Sequence, residues 1–247
     1  MKLSFAFILF TIALPTGATG RTITVYNACP FTICSGKPVP SQVTGWEAPA
    51  YSHVAFDVAD DWTSGRIWGR RDCDFSSNPG ANSCLDGGCD GGLVCDHVTG
   101  TGVPPATLAE FTLSGFANGF DYYDVSLVDG YNLPMKITNT AGCSVASCPV
   151  DLGPNCWDYM TSSGFPVGCK SACVAHLPGD DPNNSPNCCT GSHSSAATCP
   201  SSGVAYYSYF KSNCPDSYAY AYDESSKTAL WTCPSSANAD YTVTFCP

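Results

Sequence analysis

The sequence predicts a mostly β fold carrying two loop lobes held together by disulfides. Three observations carry that expectation. Apolar residues recur in short alternating runs bounded by Gly, Pro, Asn and Asp, with no long helical period. The chain contains 17 cysteines, a density normal for secreted proteins and not tolerated in a reducing cytosol. Its first residues read as a secretory signal.

Lys2 gives that segment a positive start, Leu3 to Pro15 is apolar, and Ala18-Thr19-Gly20 supplies small residues for cleavage. Residues 1–20 are therefore expected to be removed, leaving a mature chain that begins at Arg21. The apolar run is too short to span a bilayer comfortably, and no later segment is long and apolar enough.

Residues 21–247 read as one domain. Thr22-Ile23-Thr24-Val25-Tyr26 alternates cleanly, as does Tyr241-Thr242-Val243-Thr244-Phe245 at the other end. Cys29 and Cys246 lie beside these runs, so a bridge between them would staple a first strand to a last one. Further strands are expected at 52–57, 65–69, 108–113, 122–128 and 134–138. The β core thus spans about 21–72, 107–142 and 215–247. Residues 73–106, rich in Gly, Asn, Asp and Cys, form a small lobe; residues 143–214, with nine cysteines, form a large one. Short helices are expected there at Gly168–Leu177 and Val204–Ser212, with Tyr206, Tyr207 and Phe210 as lobe core. Gly179 to Asn184 lacks the ligand alternation, central Gly and terminal Glu of a calcium loop and reads as an acidic turn. Asn183-Asn184-Ser185 is a glycosylation sequon followed by Pro186.

Composition narrows the function. A zinc site needs Cys or His pairs at ligand spacing, and His53, His97, His176 and His193 are scattered, so the cysteines are expected in disulfides with at least one left over. Acidic residues outnumber basic ones by 21 to 10, and the net charge of −11 repels nucleic acid and anionic membranes. A neutral polysaccharide suits this surface. No cofactor or metal is expected, and the chain should act as a monomer.

The longer motifs resemble the thaumatin-like proteins, the pathogenesis-related class that includes osmotin and zeamatin. They run through Ile23-Thr24-Val25-Tyr26-Asn27-Ala28-Cys29-Pro30-Phe31-Thr32, Gly65-Arg66-Ile67-Trp68-Gly69-Arg70 and Pro105-Ala106-Thr107-Leu108-Ala109-Glu110-Phe111. The densest is Asp121-Tyr122-Tyr123-Asp124-Val125-Ser126-Leu127-Val128-Asp129-Gly130-Tyr131-Asn132-Leu133-Pro134, followed by Cys214-Pro215-Asp216-Ser217-Tyr218 and Phe245-Cys246-Pro247. The resemblance implies a β-sandwich core with an acidic cleft against the large lobe. It implies eight bridges: Cys29 with Cys246, Cys73 with Cys84, Cys89 with Cys95, Cys143 with Cys233, Cys148 with Cys214, Cys156 with Cys169, Cys173 with Cys188, and Cys189 with Cys199. Cys34 is left as a free thiol, read as a small buried apolar residue. Two segments depart from the family pattern: Cys84-Leu85-Asp86-Gly87-Gly88-Cys89, where the family usually reads Cys-x-Thr-Gly-Asp-Cys, and Cys156 to Ser163.

Glu110, Asp121, Asp124, Asp129 and Asp223 all lie in or beside strand-like segments, where an acid is costly to bury unless paired or functional. Asp124 and Asp129 have odd separation, so a turn at Asp129-Gly130 is needed to bring both to one cleft. The resemblance selects Arg66, Glu110, Asp124, Asp129 and Asp223 as cleft residues and associates that cleft with β-1,3-glucan binding and, in some members, hydrolysis. Glycoside hydrolysis needs one protonated and one ionised carboxyl. Glu110 is the expected general acid, with Asp129, or else Asp124, as base or nucleophile. Arg66 and Asp223 would tune charge and bind sugar; Tyr123, like Tyr122 and Trp68, is a stacking candidate. The expected function is a secreted endo-β-1,3-glucanase acting on cell-wall glucan. The alternative is an antifungal defence protein that binds glucan in the same cleft without turnover.

Overall fold

We describe residues 20–37, 42–77, 79–96, 102–115, 118–162 and 164–247 from a computed structural model. The secretory-signal reading falls on residues 1–19, outside this set, apart from Gly20. In chain order the strands are β1 (Arg21–Asn27), β2 (Ile33–Gly36), β3 (Gly45–Ala48), β4 (His53–Val58), β5 (Gly65–Arg70), β6 (Leu108–Gly115), β7 (Phe120–Ser126), β8 (Met135–Asn139), β9 (Ala146–Cys148), β10 (Met160–Ser162), β11 (Phe165–Val167), β12 (Trp231–Pro234) and β13 (Tyr241–Phe245). Among the described residues there is one α-helix, α1 (Tyr207–Asn213).

Alternation in β1 and β13 buries every second residue, and the two strands pair in parallel with Ile23 opposite Tyr241 and Val25 opposite Val243. Cys29–Cys246 closes this pair. The five-stranded sheet runs β4-β1-β13-β8-β9 and the six-stranded sheet β12-β7-β6-β5-β2-β3. Their inner faces meet in one core, with Ile23, Val25, Met135, Ile137, Val243 and Phe245 against Ile67, Ala109, Leu113, Val125 and Leu127. Tyr241 bridges the layers, packing on Phe111 and Tyr123 at centroid distances of 5.5 and 5.2 Å.

A buried ion pair pins the same edge. Arg21 Nη1 donates to Asp121 Oδ2 at 3.0 Å, and Tyr241 Oη, Ser235 Oγ and the Ser114 amide donate to the same carboxylate. Asp121 is thus a paired structural acid. Arg70, also fully buried, has no such carboxylate among the described residues. It donates to the carbonyls of Cys34, Ser35, Gly92 and Leu93, fastening the small lobe to β2.

The eight bridges join Cys29–Cys246, Cys73–Cys84, Cys89–Cys95, Cys143–Cys233, Cys148–Cys214, Cys156–Cys169, Cys173–Cys188 and Cys189–Cys199. Cys34 is free and buried. Burial pushes its thiol above the ordinary value, and the Arg70 charge opposes that.

The lobes differ from expectation in three places. β9 belongs to the core sheet, so the large lobe begins after it. β10 and β11 form a hairpin of their own. Residues 168–177 are not helical, because Gly168 takes φ +63° and Cys169 exchanges backbone hydrogen bonds with Tyr131 in an antiparallel bridge. Only a single turn follows, from Ser171 to Ala175, before His176 takes φ +49°. At the acidic turn, Asp180 Oδ2 accepts from Ser185 and Asn187, and Asp181 Oδ1 accepts from the Asn183 amide.

Candidate functional site

The site grows from the register of three strands. Arg66 on β5 lies directly opposite Glu110 on β6, and Glu110 directly opposite Asp124 on β7. Directly opposed residues on antiparallel strands have Cβ atoms about 5 Å apart, so one cation and two carboxyls form a row across the outer face of the sheet. Arg66 Nε meets Glu110 Oε1 at 2.8 Å. The same parity brings Thr112, Tyr122 and Ser126 to this face and sends Phe111, Tyr123 and Val125 into the core.

A third wall comes from the chain after Cys214. Ser126 and Tyr218 form a parallel bridge, with Leu127 N donating to Tyr218 O and Tyr218 N to Val125 O. This docks residues 218–224 beside β7, and Tyr218, Ala221 and Glu224 complete a cavity of about 330 Å³ whose floor includes Glu110 and Asp124.

Electrostatics separates the acids. Asp124 is 9 % exposed, and its Oδ1 has no hydrogen-bond partner among the described residues. Burial raises its pKa well above the carboxylate range, the nearby Glu110 charge adds to this, and Arg66 only partly opposes it. Glu110 is held in the ion pair with Arg66. Asp129 is half-buried on the turn closed by Gly130 N donating to Leu127 O, where Gly130 has φ +86°. Burial raises its pKa and Arg66 lowers it; its side chain does not line the cavity.

Three expected contacts are corrected. Asp223 is fully buried and its carboxylate is occupied: Ala219 N donates at 2.9 Å, Tyr207 Oη at 2.9 Å, and Lys211 Nζ lies at 3.0 Å. It shapes the 218–224 segment and cannot face a sugar; the neighbouring Glu224 lines the cavity instead. Tyr123 is fully buried between the sheets, with its hydroxyl donating to Ser144 O, so it offers no stacking face. Tyr122, one residue earlier, lines the cavity. Trp68 shares the parity of Arg66 but is covered by the small lobe, its Nε1 donating to Gly87 O. Among the described residues no cluster of three His, Cys, Asp or Glu side chains could hold a metal ion.

Comparison with known proteins gives a consistent family. The Thaumatin family model matches residues 27–247. The chain is 40% identical to pathogenesis-related thaumatin-like protein 3.5 of Cryptomeria japonica, over 100% of this chain and 98% of that one. It is 36% identical to a glucan endo-1,3-beta-glucosidase of Prunus avium, over 94% of this chain and 92% of that one. The fold is also similar to the crystal structure of a GH family 64 laminaripentaose-producing beta-1,3-glucanase from Paenibacillus barengoltzii complexed with laminarihexaose. The TM-score is 0.52 at 10% identity, covering 92% of this chain and 74% of that one.

Proposed function

This chain belongs to the thaumatin family, and from that premise we propose that it is a secreted defence protein that binds and hydrolyses cell-wall β-1,3-glucan in the acidic cleft. The observation that carries the reading is the row Arg66–Glu110–Asp124, in which one carboxyl is ion-paired and its neighbour is buried with a raised pKa. The relative named for endo-1,3-glucosidase activity adds support.

Crowded carboxyls cannot all ionise, and the one that stays protonated supplies the acid. Asp124 takes that role. It donates its proton to the glycosidic oxygen as the C–O bond breaks, and the leaving sugar departs as an alcohol. Glu110, ion-paired with Arg66, acts on the other reactant: it removes a proton from the attacking water or attacks the anomeric carbon itself. This reverses the roles expected from sequence, because Arg66 pairs with Glu110 more directly than with Asp124. Glu224 and Tyr122 face the sugar from the rims, and Asp129 biases the field around Arg66.

Reducing-end release from laminarin tests this. Asp124→Asn and Glu110→Gln should each lower turnover by roughly 100-fold or more, with binding retained. Full turnover by Asp124→Asn overturns the acid assignment. A second reading, glucan binding without turnover, is favoured by the low exposure of Asp124. It stands if the wild type retains insoluble glucan yet releases no product over long incubation.

A further inference from the structure

We propose that the large lobe carries a second carbohydrate-binding surface, a groove lined by Tyr206, whose ring is backed by Trp157, which anchors a β-glucan chain outside the cleft. The inference rests on the glucan reading of the cleft and extends it to residues with no part in the chemistry.

The two rings lie 3.9 Å apart at an interplanar angle of 4°. Tyr206 is 42% exposed although one of its faces is covered by the indole, so the other face is open. This arrangement is held at a cost. Tyr206 sits at φ 60°, in the left-handed region that non-glycine residues rarely occupy. The buried Trp157 Nε1 has no acceptor among the described residues, a loss of the kind native proteins keep few of. Backbone strain and an unmet donor in one ring pair are features that cluster at ligand sites.

The groove beside the pair, about 380 Å³, is lined by Ser201, Ser202, Val204, Tyr206, Tyr207 and Ser208. On a protein of net charge −11, none of these residues is charged. A flat aromatic face rimmed by hydroxyls fits a neutral pyranose, whose ring faces are apolar and whose edge is hydroxyl-rich. An anionic ligand would find no cation there. Shared residues relate the groove to the cleft. Val204 borders both the groove and a narrow slot, and Val128 and Ala221 border both that slot and the acidic cavity.

The test is depletion of protein from solution by insoluble β-1,3-glucan particles, run beside binding of a short β-1,3-oligosaccharide in the cleft. Tyr206→Asn removes the ring while keeping a residue that tolerates φ near 60°. It should weaken particle binding by roughly three- to tenfold and leave oligosaccharide binding unchanged; Trp157→Ala, which removes the supporting ring, should do the same. Tyr206→Phe, which keeps the stack, should bind particles like the wild type. Unchanged particle binding by both Tyr206→Asn and Trp157→Ala overturns the platform while leaving the cleft reading intact. Failure of the wild type to bind either probe overturns both.

Discussion

Asp86 should make the junction between the lobes less stable as pH rises. It lies in the small lobe, where Oδ1 accepts from the Arg71 amide at 3.2 Å and from Asn132 Nδ2 at 2.8 Å, so it ties that lobe to the core. Its Oδ2 is buried without a partner among the described residues, and a Cβ on Gly168 of the large lobe would lie 3.7 Å from it. Burial pushes the carboxyl from its ordinary 3.8 up to about 6, against the opposing pull of Asn132 and Arg71. A carboxyl with a raised folded-state value stabilises the fold fully below its unfolded value, and that stability is lost as pH rises through the folded value. The window is therefore about pH 4 to 6. At 1.36 kcal/mol per pH unit, the rise to about 6 removes about 3 kcal/mol by neutral pH. Asp86→Asn keeps the Oδ1 acceptor and mimics the protonated acid. Its urea midpoint, with disulfides intact, should match the wild type near pH 4 and exceed it by about 2–3 kcal/mol of stability at pH 8. Every other titrating group is common to both proteins, so the difference isolates Asp86. Parallel stability curves across that range would refute the reasoning.

The remaining predictions concern other charged and buried groups. Asp121→Ala should cost about 3–5 kcal/mol by chemical denaturation, because it removes the buried carboxylate from Arg21 and leaves that buried guanidinium only the part-exposed Asp60 as a carboxylate partner; a loss below about 1 kcal/mol would refute the structural role. If turnover is observed, its alkaline limit should follow Asp124, whose raised pKa places protonation loss above the ordinary carboxylate range. Glu224→Gln removes one of the charges that raise it and should move that limit toward lower pH, a shift read from the pH–rate profile. Cys34 should react slowly with a thiol reagent in the folded protein, since burial raises its pKa, and yield one labelled thiol per chain on unfolding without reductant. Rapid labelling of the native protein would contradict its burial.

Much of the sheet was legible because alternation is a local signal. The runs at Thr22–Tyr26 and Tyr241–Phe245 show it plainly, and both became partners in the core. β2 was not legible, since all four of its residues are buried and no polar face breaks the pattern. The helix expected at 168–177 failed because Cys169 is drawn into a bridge with Tyr131, a contact that no local propensity reports. At the site, parity alone separates Tyr122 from Tyr123: whichever faces the cleft with Asp124 must have even separation from it. The exchange of Asp223 for Glu224 was not readable in that way. It depends on Lys211, Tyr207 and the Ala219 amide converging on the first of two adjacent acids.

Four buried aspartates fall into two kinds. Asp121 and Asp223 accept bonds on both oxygens and each lies beside a cation, Arg21 and Lys211. Asp86 and Asp124 each keep one buried oxygen with no partner among the described residues, and both have raised pKa values. Only Asp124 borders an open cavity, so only its proton has a path to a ligand. Asp86 instead accepts from the Arg71 amide and Asn132, so its titration acts on the packing of lobe against core. On the proposed hydrolytic reading the two orphaned carboxyls divide the labour in acidic surroundings: protonation of Asp86 tightens the lobe junction beside the sheet, and protonation of Asp124 supplies the acid in the cleft on the same sheet.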